Sequence, residues 1–293
     1  MFEGIDVREN EVLAPYTTFK LGGPADYLAF PKNVAELQRL LDEATTNRIP
    51  IHLLGGGSNL LIHDSGLRGL VVSLEKGFSH LELSLEKNEI RVGAGASFPK
   101  LTRRCLELGW EVALGWGGVP GSVGGALKMN AGTRLGEIGE VVLSVEVSTL
   151  EGMRVLTQEQ MGFAYRSTSF PSGTILCEAL LRFPGADPLR KQELLEKARL
   201  LALQRKATQP KERSAGSMFK NPPGDYAGRL IESCDLKGLK MGGAAVSSVH
   251  ANFIVNEGKA TAFEILRLSE YVRERVEQKF DIKLEYEVRR WGF

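Results

Sequence analysis

Three stretches of this chain carry side chains that could do chemistry. Tyr165–Phe170, YRSTSF, sets Arg166 among apolar neighbours just before a proline. A guanidinium there pairs with a carboxylate, either one of the protein or one of a ligand. Arg213–Pro222, RSAGSMFKNP, surrounds Ser217 with small residues that leave its hydroxyl open to approach. His52, His63, His80 and His250 are all remote from it in sequence, so nothing supports a serine-nucleophile triad, and a turn serine is an equal reading. In Leu284–Arg290, LEYEVRR, strand alternation sends Leu284, Tyr286 and Val288 to one face and Glu285, Glu287 and Arg289 to the other. A glutamate so placed is solvated unless a ligand meets it.

Two glycine-rich runs could hold what these groups act on. Leu53–Leu61, LLGGGSNLL, follows a short apolar segment, so its glycines come where a strand ends, and Ser58 and Asn59 come next. Backbone amides are aimed at phosphates in this way. The run is neither GxGxxG opening a helix nor GxxxxGK[ST]. Gly115–Gly132, GWGGVPGSVGGALKMNAG, has almost no charge, and its only larger polar groups are Ser122, Lys128 and Asn130. Such a run lets backbone approach a ligand closely. Two glycine loops of different construction suggest one long ligand with flat faces and phosphates, and a flavin dinucleotide has that shape.

Composition narrows the class. The chain has 293 residues and a formal charge of +1, with no basic surplus for nucleic acid or an anionic membrane. Cys105, Cys177 and Cys234 are scattered and lack metal spacing, so they read as reduced core residues and no metal is expected. The N-terminus MFEGIDVREN shows no signal peptide and no apolar run is long enough to span a bilayer. A cytoplasmic protein acting on a small molecule is expected, and as a monomer.

The elements that must position these groups follow from periodicity. Asn33 can cap a helix in which Val34, Leu37, Leu40, Leu41 and Ala44 recur, and Ile49–Leu54 reads as the strand feeding the first glycine loop. Thr17–Pro31 reads as two short extended segments around Gly22-Gly23-Pro24, and Gly69–Leu74 as another strand. From Leu81 the period becomes two, with a hairpin over Lys87–Asn88, a helix from Ser97 to Gly109, a second hairpin over Glu151–Gly152 and a strand Ile175–Phe183. Asp187–Lys206 is expected as an amphipathic helix with Leu189, Leu194, Leu195, Ala198, Leu201 and Ala202 inward. A helix opening at Thr261 and a strand Ile282–Arg289 complete the chain.

TTFKLGGPAD, LGGGSNLL, GVPGSVGGALKMNAG, YRSTSF, SAGSMFKNP, HANFIVN and LEYEVR occur in this order from Thr17 to Arg289. The series resembles the UDP-N-acetylenolpyruvoylglucosamine reductase (MurB) family over nearly the whole chain. The resemblance implies an α+β fold: a two-lobed flavin-binding unit of the vanillyl-alcohol-oxidase type, in residues 1–75 and 76–206, followed by a C-terminal α/β substrate-binding domain in 207–293. It implies noncovalent FAD, NADPH as co-substrate, and reduction of UDP-N-acetylglucosamine enolpyruvate by hydride from flavin N5 to the vinyl carbon. Arg166, Ser217 and Glu287 match the catalytic residues. Ser217 would give the proton to the adjacent carbon, while Arg166 and Glu287 stabilise the charge that spreads into the carboxylate.

Flavin contacts are then expected from Leu54, Gly55, Gly56, Gly57, Ser58, Asn59 and Leu60 and from Pro120, Gly121, Ser122, Gly124, Gly125, Asn130, Ala131 and Gly132. Substrate contacts are expected from Tyr165, Lys206, Lys220, Asn221, His250 and Asn252. Two features depart from the family pattern. Pro171–Pro184 has no tyrosine, so the chain resembles the short form without the tyrosine lid loop, and Thr133-Arg134-Leu135-Gly136 replaces the usual aromatic-glycine turn. The alternatives are a flavin-dependent oxidase of the same architecture and a nonenzymatic nucleotide-sugar-binding flavoprotein.

Overall fold

The computed structural model describes residues 1–171, 173–185 and 187–293. Ser172, within the stretch read as lacking a lid tyrosine, lies outside them. The chain forms two compact units. One comprises Met1–Glu9, Tyr27–Gly56 and Gly69–Leu203, the other Asn10–Asp26, Gly57–Arg68 and Gln204–Phe293. The expected boundary after residue 206 falls near the 203/204 division, whereas the expected lobe boundary after residue 75 lies inside the first unit.

In chain order come β1 (Val7–Val12), β2 (Pro24–Ala29), α1 (Val34–Thr46), β3 (Ile51–Leu54), β4 (Leu60–Ile62) and β5 (Leu67–Ser73). The Asn33 side chain accepts a hydrogen bond from the Glu36 amide and starts α1, whose Leu37, Leu40, Leu41 and Ala44 are buried as the spacing predicts. β1, β2, β5 and β3 form one sheet in that order, with β3 and β5 parallel from Ile51 opposite Leu70. Of the two segments expected around Gly22-Gly23-Pro24, only the second is a strand. The first stays in loops, with the Thr17 hydroxyl bonding back to the Leu21 carbonyl at 2.9 Å.

Next follow β6 (Leu81–Ser84), β7 (Glu89–Gly93), α2 (Phe98–Glu107), α3 (Val123–Lys128), β8 (Gly132–Thr133), β9 (Gly136–Glu137), β10 (Val142–Thr149), β11 (Gly152–Thr157) and β12 (Ile175–Arg182). Both expected hairpins are present, and β11-β10-β12-β7-β6 is an antiparallel five-stranded sheet. Its inner face and α1, α2 and α3 close the core of the first unit, where Trp110 stacks on Phe183 at 4.0 Å and Phe98 lies 5.5 Å from Trp116. Trp116 thus roots the long glycine run in packed aromatics. Helix α4 (Lys191–Thr208) buries only Leu194 fully, with Leu195, Ala198 and Leu201 half-covered against that core. Leu189 and Ala202, expected on the inner face, are exposed, and Leu189 precedes the helix.

The remaining elements are α5 (Ala227–Ser233), β13 (Lys240–Met241), β14 (Ala244–Val246), β15 (Ile254–Asn256), α6 (Ala262–Phe280) and β16 (Arg289–Trp291). β13, β14 and β15 make a small antiparallel sheet beneath α6. Thr261 and Glu264 form the capping box of α6, and both carboxylate oxygens of Asp64 accept from the Ala262 and Phe263 amides. Ile282–Val288 is not a strand, contrary to expectation. Ladder pairing begins only at Arg289, where β16 runs parallel to β4 with Leu60 opposite Arg289. The stretch before it keeps the alternation, with Leu284 and Val288 buried, but meets other chain through single contacts such as the Phe219–Tyr286 bridge.

Candidate active site

The glycine loops of the first unit pack backbone against backbone. A Cβ on Gly56 would come within 2.5 Å of the Gly121 Cα, and one on Gly55 within 2.7 Å of the Ser122 hydroxyl oxygen. A Cβ on Gly124 would press on Ala94 at 3.0 Å, whereas one on Gly125 meets only the Ser122 hydroxyl oxygen at 3.5 Å. Ser122 caps α3, its hydroxyl accepting from the Gly125 amide at 3.3 Å, and the Gly124 amide donates to the Ala94 carbonyl at 2.7 Å. Among the described residues, the amides of Gly56, Gly121 and Ser122 donate to no acceptor within the chain, and Gly56 is exposed. Open amides flanked by glycine suit the oxygens of a diphosphate or the edge of a flavin ring. Leu54 is buried, and Pro120 is exposed at the rim of the second loop.

Arg166 lies in the same unit, in a two-residue turn closed by reciprocal bonds between Ala164 and Ser167 at 3.0 and 3.1 Å. Its φ is 53°, a left-handed conformation that an arginine rarely takes. The guanidinium donates to the Gly132 carbonyl at 3.0 Å, lies 3.9 Å from a Glu137 carboxylate oxygen and covers the Tyr165 ring at 5.2 Å. Asn130, expected at the flavin, is buried with both ends of its amide engaged. Nδ2 donates to Glu137 at 2.7 Å and to the Ala164 carbonyl at 3.2 Å, and Oδ1 accepts from the Gly139 amide at 3.0 Å. Asn130 thereby fixes the turn that carries Arg166. The sequence reading missed Glu137, which links the two. Its signal was a carboxylate three residues ahead of Glu140 in a capping box, which names a local turn and not a partner for arginine. Tyr165 is half-exposed, and Ala131 and Gly132 are buried.

In the second unit, the segments that carry Ser217 and Glu287 are joined through the backbone of Met218. The Glu287 amide donates to the Met218 carbonyl at 2.9 Å, and the Lys220 amide to the Glu285 carbonyl at 2.8 Å. Asn252, 3% exposed, grips the same segment from the other side. It donates to the Phe219 carbonyl at 2.8 Å and accepts from the Phe219 amide at 3.0 Å, while its own carbonyl accepts from the Met218 amide at 2.7 Å. The Asn252 amide donates to His250 Nδ1 at 3.2 Å, which leaves Nε2 as the protonated nitrogen of a neutral ring. Burial holds the His250 imidazole below its ordinary pKa of 6.5. The ring lies close over Gly228 of α5.

The other expected contacts fall variously. Lys220 reaches Glu285 at 3.3 Å, and Asn221 accepts from the Ala227 amide at 3.1 Å to hold the start of α5. Lys206 is exposed on the last turn of α4, and among the described residues no contact ties it to the Ser217 segment. Gly57, with φ at 61°, packs against the Tyr16 carbonyl and accepts from the Thr18 amide at 3.1 Å. Ser58 lies in the turn before β4, which Leu60 opens. Asn59, expected at the flavin, donates through Nδ2 to the Glu287 carbonyl at 3.0 Å. Burial pushes the Cys177 thiol up to about 12 and that of Cys105 higher still, so neither is a reactive thiolate at neutral pH. No helix among the described residues is long and apolar enough to cross a membrane.

Comparison with known proteins fits this geometry. Residues 25–157 match the FAD binding domain family, and residues 209–291 match the family described as UDP-N-acetylenolpyruvoylglucosamine reductase, C-terminal domain. UDP-N-acetylenolpyruvoylglucosamine reductase 2 of Symbiobacterium thermophilum is 43% identical over 98% of this chain and 92% of its own length. The protein of that name from Moorella thermoacetica is 41% identical over 98% and 94%. The crystal structure of UDP-N-acetylenolpyruvylglucosamine reductase (MurB) from Thermus caldophilus superposes with a TM-score of 0.83 at 38% identity, covering 98% of this chain and 99% of that one. That likeness supports the expected α+β fold of a flavin-binding part followed by a C-terminal domain. Identity this high along nearly the full length of both chains, with the two domain matches in order, means that the chain belongs to the UDP-N-acetylenolpyruvoylglucosamine reductase family.

Proposed function

We propose that this protein is an NADPH- and FAD-dependent oxidoreductase that reduces UDP-N-acetylglucosamine enolpyruvate to UDP-N-acetylmuramate, a step in peptidoglycan precursor synthesis. The observation that carries the reading is the backbone bond from Glu287 to Met218, which fixes a carboxylate and the Ser217 hydroxyl on adjoining chain within a family of this activity. In this reading residues 1–75 and 76–206 hold the flavin, residues 207–293 hold the sugar nucleotide, and the protein works as a cytoplasmic monomer.

The amides of Gly56, Gly121 and Ser122 are the donors that would hold FAD without a covalent tether. When bound, FAD would supply the hydride chemistry that links NADPH oxidation to reduction of the substrate's vinyl group. Arg166 pairs with the substrate carboxylate, where negative charge accumulates, and its planar fork matches both oxygens. Glu287, in its protonated form, donates a hydrogen bond to the same charge. Ser217 protonates the carbon next to the carboxylate. A hydroxyl is a weak acid, and it serves here because its acceptor is a strongly basic enolate carbon. Tyr165, Lys206, Lys220, Asn221 and the Nε2–H of His250 are the groups we assign to the sugar nucleotide.

The test is anaerobic. The purified yellow protein is reduced with NADPH, the enolpyruvyl sugar nucleotide is added, and flavin absorbance is followed. Rapid reoxidation with formation of the lactyl ether is expected. Reduced flavin that persists until oxygen is admitted would overturn the reading in favour of an oxidase or a binding protein.

A further inference from the structure

We infer that Asn59 is a positioning residue for Glu287, tying the end of the first glycine run to the backbone that carries that carboxylate. The inference rests on the role given to Glu287 above.

Glu287 is held at both of its peptide groups. Its amide donates to the Met218 carbonyl at 2.9 Å, which fixes the peptide plane before its Cα. Its carbonyl accepts from Asn59 Nδ2 at 3.0 Å, which fixes the plane after it. Two residues on, the Arg289 amide donates to the Asn59 carbonyl at 2.9 Å, and from there Leu60 and Arg289 continue as a parallel ladder. One asparagine therefore binds the chain around Glu287 with its side chain and with its backbone.

With both flanking planes pinned, the direction of the Glu287 Cα–Cβ bond is set, and only the side-chain torsions remain to aim the carboxyl. The residue type matters. The group opposite Asn59 is a carbonyl, so the brace must donate, and an aspartate of the same shape can only accept. Asn59 also falls within residues 25–157, the part of the chain that matches the FAD binding domain family, and one hydrogen bond links it to Glu287.

Half-reactions of the flavin-loaded enzyme and amide exchange test this together. Asn59→Ala is expected to slow reoxidation by substrate about tenfold more than reduction by NADPH, and to displace the limb of the reoxidation pH profile that Glu287→Gln abolishes. Hydrogen–deuterium exchange across residues 285–289 should rise in the same variant, with or without substrate. Asn59→Asp should do worse than Asn59→Ala, because it faces the Glu287 carbonyl with a carboxylate. Asn59→Ser keeps a shorter donor and should recover part of the rate. In a Glu287→Gln background, Asn59→Ala should add less than about twofold to the loss, since residues that act as a unit are not additive.

Equal slowing of both half-reactions, unchanged exchange at 285–289, or full additivity with Glu287→Gln would overturn the inference. If Asn59→Ala does not fold, Asn59→Ser carries the same comparison. Should Glu287→Gln itself reoxidise at the wild-type rate, the role of Glu287 fails, and the exchange result alone then decides whether Asn59 braces that segment.

Discussion

The glycine loops of the first unit and the Ser217–Glu287 region of the second both prepare a chain for a ligand, by opposite means. Gly56 and Gly121 approach each other with no side chain between them, and the donors left open belong to the backbone. Around Ser217 and Glu287 the backbone is occupied, its amides and carbonyls taken by Met218, Asn252 and Asn59, so the working groups there are side chains. The first arrangement suits a ligand held in one place through many turnovers. The second suits a proton donor and a charge stabiliser that must meet a changing substrate from a fixed point. Glycine is indispensable in one and asparagine in the other, for the same reason: each lets two backbones be held at a set distance.

The largest expected effect breaks the glycine side of this contrast. Gly56→Val drives a branched side chain into the Gly121 backbone, which costs about 1–3 kcal/mol of stability by overpacking, and the protein should purify colourless. Uptake of FAD titrated by fluorescence checks it, and full uptake would show that the close approach is dispensable. Ser217→Ala attacks the other side. Reoxidation by substrate should fall by a factor on the order of 100 to 10,000, the usual range for removing a positioned acid, while NADPH still reduces the flavin. Stopped-flow traces of each half-reaction separate the two. Normal turnover would pass the proton donor's role to Lys220 or a water.

Arg166→Lys keeps the charge and loses the fork, and a reoxidation rate lower by about tenfold to a hundredfold is expected. An equal loss in the NADPH step would make Arg166 a support for the loop at Gly132. Gly125→Ala sharpens the contrast within the glycine loops. A Cβ there has room, so apo-protein stability should rise by about 0.5–1 kcal/mol from helix propensity, whereas FAD affinity should fall if that exposed face carries the ligand. Denaturation of the apoprotein and flavin titration give opposite signs if so.

The smallest effect is electrostatic. Burial lowers the His250 pKa below 6.5, so on acidification the unfolded chain binds that proton first. The stability that a neutral His250 contributes is complete above pH 6.5 and is lost as pH falls through the folded value. Urea midpoints taken from about pH 7.5 to 5 should decline, and the decline should be shallower in His250→Gln.

Much of this was legible in the sequence. The α1 cap, both hairpins and the helix at Thr261 follow from period and capping chemistry, which are local. Ile282–Val288 misled because burial alternates along it while its hydrogen bonds go to Met218, Lys220 and Asn59 rather than to a ladder, and alternation reports faces, not partners. The catalytic candidates stood out only through motif order, since Arg166, Ser217 and Glu287 each have an ordinary structural reading in isolation. Glu137 and the brace at Asn59 were invisible for a common reason. Each depends on a contact across a turn or across most of the chain, and one polar letter in a loop does not say where its amide or carboxylate ends.

The turn at Arg166 has a consequence for anyone who would make this protein hardier. Its second central position has the positive φ that glycine or asparagine adopts at little cost, and an arginine held there forgoes on the order of 1 kcal/mol. Selection on melting temperature alone would therefore favour Arg166→Gly, and libraries screened that way would enrich for folded proteins that have discarded the guanidinium. The strain is a tax on endurance levied at the residue to which we assign the substrate carboxylate, and a thermostability campaign has to hold that codon fixed.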